Sequence, residues 1–248
     1  MVDKYKILGE VFGHSEFRNG QAEIIDALSA GRDVLAVMPT GGGKSVCYQI
    51  PALMCDGITI VVSPLISLMK DQVMSLVQSA YINSSLTYGQ YLKVLANMRA
   101  GVYKIIYLAP ERLLSDDFLS ACSDLDISLV AVDEAHCVSG WGQDFRPAYL
   151  GIKNFISFFS KRPTVGAFTA TATDRVREDI KNLLALEYPF EITTGFDRPN
   201  LRFEVIRTTK NSKNSELLKL IRERYSDKTG IVYCGTRNGV EDVAALLN

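Results

Sequence analysis

Residues 33–45 read Asp33-Val34-Leu35-Ala36-Val37-Met38-Pro39-Thr40-Gly41-Gly42-Gly43-Lys44-Ser45, and this stretch decides the fold. The apolar run 34–37 is too short for a buried helix and suits a strand covered on both faces. The glycines after it let backbone N–H groups turn inward around phosphate oxygens. A helix beginning near Lys44 adds partial positive charge at its N-terminus. Strand, glycine-rich turn ending in Lys-Ser, and helix together form the setting that a P-loop requires. In that setting Thr40, Gly41, Gly42 and Gly43 wrap the phosphates of ATP, Lys44 contacts the β- and γ-phosphates, and Ser45 ligates Mg²⁺. Met38 stands where the usual signature has its first glycine. The bland alternative, a glycine-rich turn with no ligand, does not call for a strand before it and a helix after it.

About 90 residues further on, Asp133-Glu134-Ala135-His136 follows the apolar run 129–132. An acidic pair at the C-terminal end of a strand can hold Mg²⁺ through Asp133 and polarise an attacking water through Glu134. Alone, such a pair is usually a solvated turn; downstream of a P-loop it reads as the second half of a nucleotide site. Thr169-Ala170-Thr171-Ala172-Thr173 closes another strand. Thr173 suits an N-cap before Asp174, and the hydroxyls can also sense nucleotide through the acidic box.

Short apolar runs at 34–37, 58–62, 104–108, 129–132 and 165–168 alternate with amphipathic stretches at 20–30, 44–54, 65–79, 90–99, 150–159 and 174–186. This predicts an α/β fold with a mostly parallel sheet flanked by helices. We expect a first domain over 1–195. A second, incomplete unit of the same kind is expected over 196–248, with strands near 202–206 and 230–234 and helices near 216–225 and 239–247. Two strands and two helices make a poor core.

Lys and Arg number 27 against 28 Asp and Glu, so any nucleic-acid partner must be held by local patches. No apolar run approaches the ~20 residues of a membrane span, and the N-terminus lacks the apolar core of a signal peptide. The expectation is a cytoplasmic protein with no membrane partner, nucleoid-associated if bacterial. The five cysteines, Cys47, Cys55, Cys122, Cys137 and Cys234, have no zinc-like spacing and are expected as buried thiols.

Taken together the motifs resemble superfamily 2 helicases, and the likeness narrows to the RecQ family of DNA helicases at four further places. Phe17-Arg18-Asn19-Gly20-Gln21 is similar to that family's adenine-recognition motif. In it Gln21 pairs with adenine N6 and N7, Arg18 stacks on the base, and His14 stands where the family commonly has an aromatic ring. Residues 38–53 (MPTGGGKSVCYQIPAL) match the family's first motif, including Met38. Ser63-Pro64-Leu65-Ile66-Ser67-Leu68-Met69-Lys70-Asp71-Gln72 and Ala109-Pro110-Glu111-Arg112-Leu113 resemble its strand-contacting loops, which place Ser63, Lys70 and Gln72 against a DNA backbone. The most specific stretch is Cys137-Val138-Ser139-Gly140-Trp141-Gly142-Gln143-Asp144-Phe145-Arg146-Pro147. It resembles the aromatic-rich loop that couples DNA binding to hydrolysis, with Trp141 and Phe145 offering rings to unstacked bases and Arg146 reaching phosphate or carboxylate. A tryptophan that plugs the core is the alternative reading for Trp141.

The resemblance implies two RecA-like domains that use Mg-ATP, with Lys44, Asp133, Glu134 and His136 as catalytic residues. These close over single-stranded or partially duplex DNA and step 3′ to 5′ in repair and recombination. No zinc is expected in this stretch. No arginine-finger motif follows Val240, so the expectation is a fragment that binds Mg-ATP but turns it over slowly. Two other readings stand beside it. A DEAD-box-like RNA helicase would be revealed by preference for RNA, and a non-catalytic ATP-gated binding module by the absence of turnover.

Overall fold

A computed structural model describes residues 3–76, 78–142, 144–195, 201–209 and 211–247. The chain divides into two compact units, residues 1–196 and 197–248. Among its described residues the first unit holds seven strands: β1 (Val34–Val37), β2 (Ile58–Val62), β3 (Ser79–Ile82), β4 (Ile105–Leu108), β5 (Ile127–Val132), β6 (Thr164–Thr169) and β7 (Phe190–Thr193). Its helices are α1 (Lys4–Phe12), α2 (Gln21–Ser29), α3 (Lys44–Met54), α4 (Ile66–Ser75), α5 (Tyr88–Arg99), α6 (Asp116–Cys122), α7 (Gly151–Ser157) and α8 (Asp174–Leu183).

The strands form one parallel sheet in the order β3-β4-β2-β5-β6-β1-β7. Alternate residues of the central strands feed two cores. Leu35, Ile60, Val62, Ile106, Val130, Val132 and Val165 pack under α5, α6, α7 and α8. Val34, Ala36, Val61, Tyr107, Leu129, Ala131 and Phe168 pack under α2, α3 and α4. Burial of both faces is why these strands read as mostly apolar runs rather than alternating ones. With every strand parallel, the C-terminal ends of β1, β2, β5 and β6 open on one edge, the place where such sheets carry ligands.

Two corrections concern the sheet and one of its helices. The helix expected over 65–79 ends as α4 at Ser75, and Ser79 already belongs to β3. The edge strands β3 (SAYI) and β7 (FEIT) each have one neighbour and are only half-buried, so their polar residues mask the apolar run that marks a central strand. Thr173 does cap α8, accepting from the Val176 N–H at 3.4 Å.

The second unit contains α9 (Lys213–Arg224) and α10 (Arg237–Leu247). The strands expected at 202–206 and 230–234 do not form among its described residues. Phe203, Val205, Ile231 and Tyr233 are exposed there. A lone extended segment has no ladder to satisfy its backbone, and β-propensity alone does not fold it. The junction residues Phe196, Asp197, Arg198, Pro199 and Asn200 lie outside the described residues.

Candidate nucleotide site and adjoining loops

The P-loop leaves β1 at Met38, which is buried. Its side chain lies against the Cys47 sulfur at 3.9 Å and its carbonyl accepts from Lys44 Nζ at 3.3 Å. The residue that departs from the glycine signature therefore serves as a core anchor beneath the loop. Gly41 and Gly43 have φ of +79° and +80°, a left-handed region that glycine enters without the Cβ penalty. Between them the Gly42 N–H bonds the Pro39 carbonyl at 2.9 Å. A Cβ on Gly43 would also displace the Gln21 amide from its place against the loop.

Lys44 and Ser45 open α3 and face Asp133 and Glu134 across a cleft of about 290 Å³, lined also by Thr40, Gly41, Ser63 and Gln72. Asp133 follows β5, its N–H bonded to the Val62 carbonyl at 2.9 Å. Burial first, and the neighbouring Glu134 carboxylate second, push its pKa up from 3.8 to about 6. Glu134 sits at φ 48°, ψ 46°, a strained position for a residue with a side chain, and its N–H bonds Asp133 Oδ1 at 3.0 Å. His136 Nδ1 lies 2.9 Å from Thr169 Oγ1 and 3.3 Å from Glu134 Oε2. The acidic box and the threonine-rich end of β6 are thus in direct contact.

A half-buried acid with a serine hydroxyl and a lysine across the cleft, beside a glycine turn, makes a set of groups suited to Mg²⁺ and a triphosphate. Elsewhere, among the described residues, no group of three or more His, Cys, Asp and Glu is placed to hold a metal. Of the cysteines, Cys47, Cys122 and Cys137 are buried as expected, whereas Cys55 and Cys234 are only half-buried. Burial pushes the Cys47 thiol up to about 12, which makes it a poor nucleophile.

His14, Arg18 and Gln21 line a second cavity, of about 410 Å³, against Gly43 and Ser45. His14 and Arg18 are exposed, whereas Gln21 is buried. The Gln21 Nε2 group donates to the Gly43 carbonyl at 3.0 Å and its Oε1 accepts from the Arg18 N–H at 2.8 Å. An Arg18 guanidinium nitrogen bonds the Gly41 carbonyl. Both polar side chains therefore clamp the P-loop, and the Gln21 amide is already engaged rather than presented to a base.

Of the backbone-contacting candidates, Ser63 follows β2 at the cleft and Lys70 is exposed on α4. Gln72 turns inward, its Oε1 accepting from Gln49 Nε2 at 2.6 Å; the same Gln49 nitrogen lies 2.7 Å from the Tyr107 hydroxyl. Trp141 and Phe145 are exposed, at 65% and 44%, so the core-plug reading of Trp141 is set aside. Gln143 lies outside the described residues. Arg146 donates to the Pro64 carbonyl at 3.2 Å, and the Tyr149 hydroxyl to the Asp133 carbonyl at 2.9 Å. These bonds join the aromatic loop to both the β2 loop and the acidic box. Gln49, Ser139, Tyr149 and Arg175 are residues that sequence reasoning missed. Their partners lie 16 to 58 positions away, which no local pattern reveals.

A family model described as DEAD/DEAH box helicase matches residues 18–180. The chain belongs to this family. It is 42% identical over 97% of its length to the ATP-dependent DNA helicase RecQ of Pasteurella multocida, and 43% identical over 96% to that of Bacillus subtilis. The likeness to RecQ helicases carried by the motifs is thereby borne out. The chain spans about two fifths of the length of these curated relatives, 38% and 40%. Among solved structures, the DUF1998 helicase MrfA bound to DNA and AMPPNP superposes with TM-score 0.75 at 18% identity, covering all of this chain and 38% of that one. The Pyrococcus furiosus Hef helicase domain gives 0.61 at 22% identity, covering 90% of this chain and 47% of that one. At these identities the structures bear on the fold, and they match the parallel sheet of a RecA-like helicase domain.

Proposed function

We propose that this chain is the ATP-binding part of a RecQ-type DNA helicase motor, which binds Mg-ATP and single-stranded DNA and couples hydrolysis to 3′–5′ unwinding in repair and recombination. The observation that carries the reading is the convergence of Lys44 and Ser45 with Asp133 and Glu134 on one cleft, with Arg146 of the aromatic loop hydrogen-bonded to Pro64 beside it. RecQ relatives at 42–43% identity point the same way. In this reading residues 1–195 are the first RecA-like domain and 196–248 begin the second. Its place is the cytoplasm, on DNA; no helix of the described residues is long and apolar enough to cross a membrane.

Lys44 draws charge from the β- and γ-phosphates. Ser45 and Asp133 would hold Mg²⁺, which neutralises charge building on the phosphate oxygens. Glu134 orients and deprotonates the attacking water, and the His136 contact with Thr169 carries the state of the acidic box to the end of β6. Trp141 and Phe145 offer stacking surfaces, while Ser63, Lys70 and the loop N–H groups grip the sugar-phosphate backbone.

The test is steady-state ATP hydrolysis with and without single-stranded DNA, in the wild type and in Glu134→Gln. Stimulation by DNA that vanishes in Glu134→Gln supports the reading. Turnover indifferent to DNA, or stimulated by RNA alone, would sink it, and binding of Mg-ATP without turnover would confine it to nucleotide binding.

A further inference from the structure

Trp141 is the chain's one tryptophan, and something holds it. The guanidinium carbon of Arg175 lies 3.5 Å from the centroid of its ring, a stacking distance well inside the ~6 Å reach of a cation–π contact. Arg175 is the second residue of α8, whose start is fixed by the Thr173 cap. One turn along the same helix, Asp179 accepts from the Ser139 hydroxyl at 2.6 Å, and that hydroxyl in turn accepts from the Trp141 N–H at 3.1 Å. Residues four apart share a helix face. A single face of α8 therefore fixes the loop twice, through its backbone at Asp179 and through its ring at Arg175.

Trp141 remains 65% exposed although Arg175 stacks on it, which leaves ring surface free for a second contact. It also borders a cavity of about 300 Å³ with His136, Thr171, Ala172 and Thr173, which places the ring beside the acidic box and the end of β6. A free tryptophan on a glycine-containing loop would sample several rotamers and lose that freedom on binding a base. A stacked guanidinium meets that cost in advance.

We propose that Arg175 is a positioning residue for nucleic acid, one that backs Trp141 on one face and presents the other to an unstacked base. This rests on the helicase reading above. Stacking a base on that other face completes a guanidinium–indole–base sandwich, and the positive charge of Arg175 then sits beside the phosphodiester chain.

The single tryptophan makes the test direct. Oligothymidylate binding to the full chain is followed by anisotropy of a labelled strand and by quenching of the intrinsic tryptophan emission. Acrylamide quenching reports ring exposure, and a fluorescent non-hydrolysable ATP analogue is titrated in parallel. Arg175→Ala is expected to weaken oligothymidylate binding about fivefold, the cost of ordering one side chain on binding. It should raise acrylamide quenching and leave analogue affinity and the far-ultraviolet circular dichroism unchanged. Arg175→Lys keeps the charge without the planar stack and is expected to recover less than half of the loss. Unchanged DNA affinity in Arg175→Ala overturns the proposal, as does tighter binding, which would make Arg175 a competitor for the ring. Full recovery by Arg175→Lys overturns it too, by assigning the effect to charge alone. If the wild-type chain binds no oligothymidylate, the DNA reading itself falls and this inference with it. Normal wild-type binding combined with an indifferent Arg175→Ala removes only this inference.

Discussion

Asp133 carries its charge in a place that disfavours it. Because burial and Glu134 raise its pKa to about 6, the folded chain binds more protons than the unfolded chain between about pH 4 and pH 6. Stability therefore falls as pH rises through that window and stays low above it. Asp133→Asn removes the penalty. In magnesium-free buffer at pH 8 it is expected to stabilise the chain by up to about 3 kcal/mol, and at pH 4 by almost nothing, as read from urea midpoints. Adding Mg-ATP should reverse the order, raising the wild-type melting temperature and leaving the variant's unchanged. The acidic pair after an apolar run was legible in the sequence. The desolvation of one carboxylate was not, because it comes from β2, α3 and β5 closing around it. Gln21 makes the same point: the motif marked it as an important amide, and only the packed chain shows that amide bonded to the P-loop itself.

At the scale of elements, α3 does more than begin the P-loop helix. Gln49, one turn past Ser45, is buried and reaches both Gln72 on α4 and the Tyr107 hydroxyl on β4. It joins the helix that follows the P-loop to α4 and β4, beside the loops proposed to contact a DNA strand. Gln49→Leu takes the shared donor from the Gln72 amide oxygen and from the buried Tyr107 hydroxyl. The expected cost is about 1–3 kcal/mol in urea unfolding, whereas exposed Lys70→Ala should change stability by under about 0.5 kcal/mol. The central strands were readable because burial on both faces keeps them mostly apolar, with Thr59 and Ser128 the interruptions in β2 and β5. The edge strands β3 and β7 were not, since one neighbour and one open side admit Ser79, Tyr81, Glu191 and Thr193. Helix α1 was missed for a related reason: only Ile7 and Leu8 of its nine residues are buried, too few to set a clear period.

Across the whole molecule, the end of the sheet opposite the nucleotide cleft is tied by Asp33. This buried carboxylate accepts from the N–H groups of Val165 and Glu187 at 2.8 and 2.7 Å and from both terminal nitrogens of Arg162. One side chain thus pins β1, β6 and the approach to β7. Arg162→Ala would leave a buried carboxylate without its cation, with an expected loss of about 3–5 kcal/mol. Adding Asp33→Asn should return part of it, and a double-mutant cycle in urea measures that coupling. The second unit behaves differently: neither α9 nor α10 has a buried residue. Amide hydrogen exchange in this chain is expected to be fast throughout residues 211–247 and slow in β1, β2, β5 and β6.

The sequence by itself determined the P-loop, the acidic box, the parallel α/β class and the family, because these rest on local spacing and on periodicities set by burial on one or two faces. The tertiary structure alone decided which side chains meet across long separations. Arg175 stacks on Trp141, Arg146 bonds Pro64 and His136 touches Thr169 because parallel strands return each C-terminal loop to the same edge of the sheet, whatever its distance along the chain.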